Sequence, residues 1–297
     1  MIGTNFTRIS GEQMFYKDKT NRRLAALGLV LFAAGMAAGA LWDLALDEWL
    51  HSPGSAPAIF MEAFGWYPLY LPPLLWLGTV VWRKSRPGWM RAGAALCGAA
   101  AVGVMGYMSL HYLGKRQVAA AWPLLILVWA VMLAGAFALL ALARRRGPAF
   151  AKKLHFAVWW GTVYMALNNI FINALKLLWN RTRFDDMLAA GDFSAFTSWL
   201  HPLGNGGTSF PSGHTAAACS IFVLVLLCDV FPGWHKRRLL VWAACWAYVG
   251  GMALSRLVMG RHFLSDTVMA AFVMTVLFLL MTKSKWYKAS VARLGAV

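Results

Sequence analysis

Long apolar runs separated by short polar and basic stretches dominate this chain. A helix needs about 20 apolar residues to cross a bilayer core. Runs of that kind lie near residues 24–46, 66–82, 92–112, 119–143, 155–178, 214–231, 237–258 and 263–281. The pattern predicts an all-α, polytopic transmembrane helical bundle of six to eight spans, with eight the favoured count. Pro68, Pro72 and Pro73 interrupt the second run, so partly interfacial or re-entrant structure over 57–82 and 92–112 is the alternative. Proline is tolerated at membrane depth when neighbours satisfy the backbone groups it frees. Gly35 and Gly39 form a GxxxG in the first run, a face suited to close helix packing. The longest stretch without helical pattern, 180–213, ends in a glycine-rich run over 204–210. Loops longer than about 15 residues are usually functional or disordered.

Composition sharpens this picture. Of 297 residues, 60% are hydrophobic and 13% charged, against about 25% charged in a soluble domain. The net charge of +17 would suit a nucleic-acid binder, but its placement argues otherwise. If the N-terminus is cytoplasmic, the inner segments 1–23, 83–91, 144–154, 232–238 and 282–297 hold 21 of the 28 Lys and Arg, and 47–65 holds none. Such asymmetry sets membrane orientation. It places both termini in the cytoplasm and leaves no reason to expect a nucleic-acid partner. The first 23 residues are polar and no small-residue cleavage site follows the first run, so a retained anchor is expected. Trp42, Trp49, Trp66, Trp82, Trp179, Trp199, Trp234 and Trp286 fall near expected span ends, where indole favours the interface. Cys97, Cys219, Cys228 and Cys245 sit inside apolar runs and read as small packing residues. The organisation expected is a cytoplasmic segment (1–23), N-terminal helices (24–153), a catalytic helical core with its outer loop (154–282) and a cytoplasmic tail (283–297).

The remaining seven basic residues are Lys115, Arg116, Lys176, Arg181, Arg183, Arg256 and Arg261. Guanidinium groups match phosphate oxygens bidentately and lysine supplies a compact charge, so Lys176, Arg183 and Arg256 together suit a phosphoryl group. Pro211-Ser212-Gly213-His214 directly precedes the sixth run. There a helix start offers unpaired N–H groups to an oxyanion, Ser212 adds a hydroxyl, and His214 is placed to move a proton. His262 and Asp266 stand i,i+4 at the start of the last run. A carboxylate that accepts one ring N–H leaves the other nitrogen nucleophilic. Each piece alone also fits an ordinary helix end, but all three fall on one expected membrane face.

These blocks resemble the type 2 phosphatidic acid phosphatase superfamily, which includes lipid phosphatases, glucose-6-phosphatases and vanadium haloperoxidases. The family pattern K-x6-R-P, P-S-G-H and S-R-x5-H-x3-D is met by Lys176 to Arg183, by Pro211 to His214, and by Ser255 to Asp266, with Phe184 in place of the family proline. That proline shapes the turn and not the chemistry. The resemblance implies that His262 attacks phosphorus with Asp266 orienting it, and that His214 protonates the leaving oxygen. It further implies that Lys176, Arg183, Ser212, Gly213 and Arg256 hold the phosphoryl oxygens, with no metal and no other cofactor.

The reading is therefore an integral membrane phosphatase acting on a lipid phosphate or diphosphate, its site facing the periplasm or exterior from a cell inner (plasma) membrane. Phosphatidic acid, phosphatidylglycerol phosphate, polyprenyl diphosphate and a lipid A phosphate are candidate substrates. A phosphotransferase using the same phosphohistidine is the alternative, and a non-enzymatic lipid-binding or transport protein a more distant one. Arg181, Arg261, Lys115 and Arg116 are expected to widen the positive field. Asp185 and Asp186 are expected to be solvated loop carboxylates, and Asp43 and Asp229 to snorkel or pair within the bundle.

Overall fold

The computed structural model describes residues 18–82, 85–201 and 206–295. Expectations for residues 1–17, for the start of the glycine-rich run at 204–205 and for 296–297 lie outside the described residues. The helices are α1 (Asp18–Leu50), α2 (Ala56–Phe64), α3 (Leu71–Trp82), α4 (Gly88–Lys115), α5 (Ala121–Arg146), α6 (Pro148–Trp179), α7 (Phe184–Ala190), α8 (Gly213–Ala218), α9 (Val223–Val230), α10 (Pro232–His235), α11 (Arg238–Val258), α12 (Leu264–Lys283) and α13 (Lys285–Gly295), with 3₁₀ turns at Tyr67–Leu69 and Cys219–Phe222. Among the described residues no strand occurs. The chain is a multi-pass membrane protein with an all-α bundle.

Six helical stretches are long and apolar enough to cross a membrane: Ala25–Leu50, Gly88–Lys115, Ala121–Arg146, Gly213–Val230, Arg238–Val258 and Leu264–Lys283. The other two expected spans differ for physical reasons. The 32 residues of α6 reach about 48 Å at the usual helical rise, ample for a crossing, but asparagines lower its hydropathy. Their amides find partners within the chain: buried Asn168 donates to the Ala216 carbonyl at 2.7 Å, and exposed Asn169 and Asn173 donate to carbonyls one turn back. Over 66–82 the prolines break the helix. Residues of α2 and the following 3₁₀ turn are buried, packed on α11, α4 and α8. Only 12 residues of α3 remain for the return. Six helices thus meet the length and hydropathy of a span, the lower end of the expected six to eight; the favoured eight would need α6 and the broken stretch over 56–82 to cross as well.

Two glycines let α1 pack tightly on α12. A Cβ on Gly35 would stand 3.1 Å from Val268, and one on Gly39 only 2.7 Å from Ser265 Cβ. The expected GxxxG therefore joins α1 to α12. The main core, built on Tyr164, Phe222, Met252, Met274 and Phe278, fills the space between α6, α8–α9, α11 and α12. Outward residues such as Ile126, Leu133 and Phe137 are exposed, as a lipid-facing surface requires. The tryptophans mostly behave as expected, with Trp49, Trp82 and Trp286 exposed, but Trp66 is buried because the 3₁₀ turn carries it inward. Cys97 is exposed and the other three cysteines are buried.

Candidate functional site

The C-terminal ends of α6 and α11 and the N-terminal ends of α8 and α12 meet at one end of the bundle, where the described residues of the connection, 180–201 with α7 and 206–212, pack against them. Trp179 Nε1 donates to the Trp199 carbonyl at 2.6 Å, and Trp199 Nε1 donates to Met36 of α1 at 2.9 Å. Backbone pairing of Gly207 with Asn180 and of Ser209 with Arg181 holds the loop's end against its beginning.

His262 lies in the turn before α12 and is 4% exposed. Its Nδ1 is 2.7 Å from the Ser209 carbonyl, so Nδ1 carries the hydrogen and donates it there, leaving the Nε2 lone pair free. The carboxylate expected to hold this ring does so less directly, with Asp266 Oδ2 3.7 Å from Nδ1. Asp266 has other partners. Its Oδ2 accepts from Ser209 Oγ at 2.5 Å and from the Phe263 N–H at 2.9 Å, and its Oδ1 accepts from Arg181 at 2.8 Å. Asp266 thus fixes the loop residue that fixes the ring. Burial drives the His262 pKa down to about 3; the nearby Asp266 opposes this, while Lys176 and Arg183 add to it. The imidazole is neutral through the physiological range.

Ser212 caps α8. Its Oγ accepts from the Thr215 N–H and from Thr215 Oγ1, which leaves the hydroxyl hydrogen uncommitted. Its own N–H donates to the Asp266 carbonyl at 3.0 Å, fixing α8 to α12. His214 sits edge-on to Tyr112 at 5.3 Å between ring centres and lies 3.3 Å from the Glu62 carbonyl through Nε2. A Cβ at Gly213 would meet the Lys176 stem at 3.6 Å. Lys176 donates to the Thr208 carbonyl, and Arg183 Nη2 to Thr208 Oγ1 at 2.8 Å. Ser255, by contrast, is turned into its own helix, donating to the Met252 carbonyl.

Arg183 and Arg256 hold donors in reserve. Arg183 Nε, Arg256 Nε and Arg256 Nη2 are buried without a hydrogen-bond partner among the described residues. Buried donors are rarely left so, and guanidinium groups with open positions beside a free imidazole nitrogen make a receptor for a tetrahedral oxyanion. All eight expected site residues thus stand at this end of the bundle.

The wider positive field is largely cancelled. Arg116 pairs with Glu62 at 2.9 Å, and Arg261 with Asp185 at 2.6 Å. Arg181 lies between Asp43 and Asp266. Asp185 is therefore an ion-pair partner and not a solvated carboxylate; Asp186 is the exposed one. Both lie in the first turn of α7, where carboxylates complement the helix dipole. Phe184 occupies the first position of α7, where proline is also well accommodated, and is buried with Phe263 and Met187. Asp43 pairs within the bundle as expected, and Asp229 does so with Arg238 and Tyr287.

Sequence reasoning missed Glu62 and Ser209. Glu62 had a detectable signal, a carboxylate in a highly apolar segment. Ser209 acts through its carbonyl, which sequence does not reveal.

The PAP2 superfamily model matches residues 157–290. No curated protein matches the chain, and no solved structure does.

Proposed function

We propose, from the premise that residues 157–290 belong to the PAP2 superfamily, that this membrane protein hydrolyses a lipid phosphate or diphosphate through a phosphohistidine on His262. Superfamily membership points to phosphatase-type activity on phosphate esters. The lipid substrate and the covalent intermediate are our reading. The observation that carries it is the His262 ring, tied at Nδ1 and open at Nε2, beside arginine donors that lack partners.

In the first step the Nε2 lone pair forms a bond to phosphorus as the bond to the leaving oxygen breaks. His214 gives that oxygen its proton. In the second step water attacks the phosphohistidine, His214 takes the water's proton, and the N–P bond electrons return to Nε2. Lys176, Arg183, Arg256, the Ser212 hydroxyl and the backbone at Gly213 stabilise the equatorial oxygens, where positioning and charge do most of the catalysis. A substrate anchored in lipid accounts for a site at helix ends. The asymmetry of basic residues supports a non-cytoplasmic site in an inner or plasma membrane, with both termini cytoplasmic.

The test is phosphate release by the detergent-purified protein from a panel of lipid phosphates, with EDTA present and His262→Ala beside wild type. Release by wild type alone supports the reading. Transfer of labelled phosphate to an acceptor lipid without free phosphate would replace hydrolysis by phosphotransfer. Inactivity of wild type in both assays would remove the proposal.

A further inference from the structure

Glu62 lies 95 residues before the start of the family region, which begins at residue 157, yet its side chain reaches the same site. It is 2% exposed. Arg116 grips it through both carboxylate oxygens, at 2.9 Å from Nε and 3.3 Å from Nη2. Arg256 approaches the same carboxylate more loosely, with Nη2 3.5 Å from Oε1 and no hydrogen bond. The Glu62 carbonyl faces His214 Nε2 at 3.3 Å. One residue thus touches two expected members of the phosphoryl site, one through its side chain and one through its backbone.

We infer that Glu62 is a positioning residue of this site, anchored by Arg116, and that its carboxylate shares Arg256 with the incoming phosphoryl group. The inference rests on the phosphatase reading. A tight two-point bond to Arg116 leaves the carboxylate short of a full bond to Arg256. The guanidinium is therefore aimed and partly neutralised by Glu62, with donors still open to a phosphate. Loosening Arg116 would let Glu62 close on Arg256 and compete with the substrate. The N-terminal half of the chain would thus set how strongly the site holds an anion and how readily it releases product phosphate.

The two arms of this device give opposite signs. With the purified full-length protein and inorganic phosphate as the probe, Glu62→Gln keeps the shape and removes the charge. Phosphate affinity, read by calorimetry and as competitive inhibition, is expected to rise about fivefold. Arg116→Gln frees Glu62 to pair with Arg256 and is expected to weaken phosphate by about the same factor. A structural role alone would lower the thermal midpoint of both variants without moving phosphate affinity in opposite directions. Unchanged affinity in both, or a shift of the same sign in both, overturns the inference while leaving the phosphatase reading intact. Wild type that neither binds phosphate nor turns over a lipid phosphate removes that reading and this inference together.

Discussion

Arg181 Nη1 donates to Asp266 Oδ1 at 2.8 Å with both side chains buried. The other terminal nitrogen of the same guanidinium reaches Asp43 at 2.9 Å, and its carbon lies 4.0 Å from the centre of the Phe263 ring. The arginine is fully enclosed by the carboxylates, Ser265 and the aromatic face. Arg181→Met leaves two buried carboxylates uncompensated, for which a loss of about 3–5 kcal/mol is expected. Arg181→Lys should rescue little, since an ammonium lacks the planar fork. Thermal unfolding in detergent measures both, and a variant within experimental error of wild type would show that the network contributes no stability.

The depressed pKa of His262 carries a pH signature. Its folded value of about 3 lies below the usual value near 6.5. The unfolded chain therefore binds a proton that the folded chain refuses between those limits. Stability from this group is complete above about pH 6.5 and is lost as pH falls toward 3. The slope of thermal midpoint against pH over that window should flatten in His262→Gln. If the activity is hydrolytic, the wild-type rate should show no loss near pH 6.5 assignable to this ring.

Arg183 and Arg261 have contrasting surroundings. Arg183 keeps an open donor, whereas Arg261 is committed to Asp185. Under the proposed function, Arg183→Gln is expected to lower kcat/KM by about 100-fold or more, an effect of about 3 kcal/mol on the transition state. Arg261→Gln should stay within about tenfold of wild type. Equal losses in steady-state assays would mean that the positive field acts as a whole.

Gly207 has no room for a side chain. A Cβ there would lie 2.2 Å from the Arg181 carbonyl oxygen and 2.5 Å from Thr182 Cα, both backbone atoms that cannot turn aside. Gly207→Ala should cost about 2 kcal/mol or more and disturb the Ser209 carbonyl that holds His262. Gly54→Ala, which meets nothing within 4 Å, serves as the neutral control. Melting curves and turnover of the two variants should separate clearly.

The sequence pattern disclosed much of this molecule because its strongest signals are local. Apolar runs mark helices, and Gly35 and Gly39 mark a contact face four residues apart. The three blocks that meet at this end of the bundle each fit within a few turns of chain. What escaped depends on distance along the chain or on backbone atoms. Glu62 and His214 are 152 residues apart, and Arg181 and Asp43 are 138 apart; no periodicity relates them. The Ser209 carbonyl could belong to any residue type. The burial of Trp66 is not legible because proline punctuation shows that a helix breaks but not which way the chain then turns.

The close crossing of α1 and α12 has a consequence for where this protein can be cut. Asp43 on α1 accepts from the Ser265 N–H and from Ser265 Oγ, as well as from Arg181. The glycine-lined face of α1 also covers the flank of α12 that begins one turn after His262. A fragment that keeps only the family region would open this seam and leave Arg181 and the N-terminus of α12 without Asp43. The limit of sequence kinship is not a seam in the protein: α1 walls the end of the bundle that α12 helps to form.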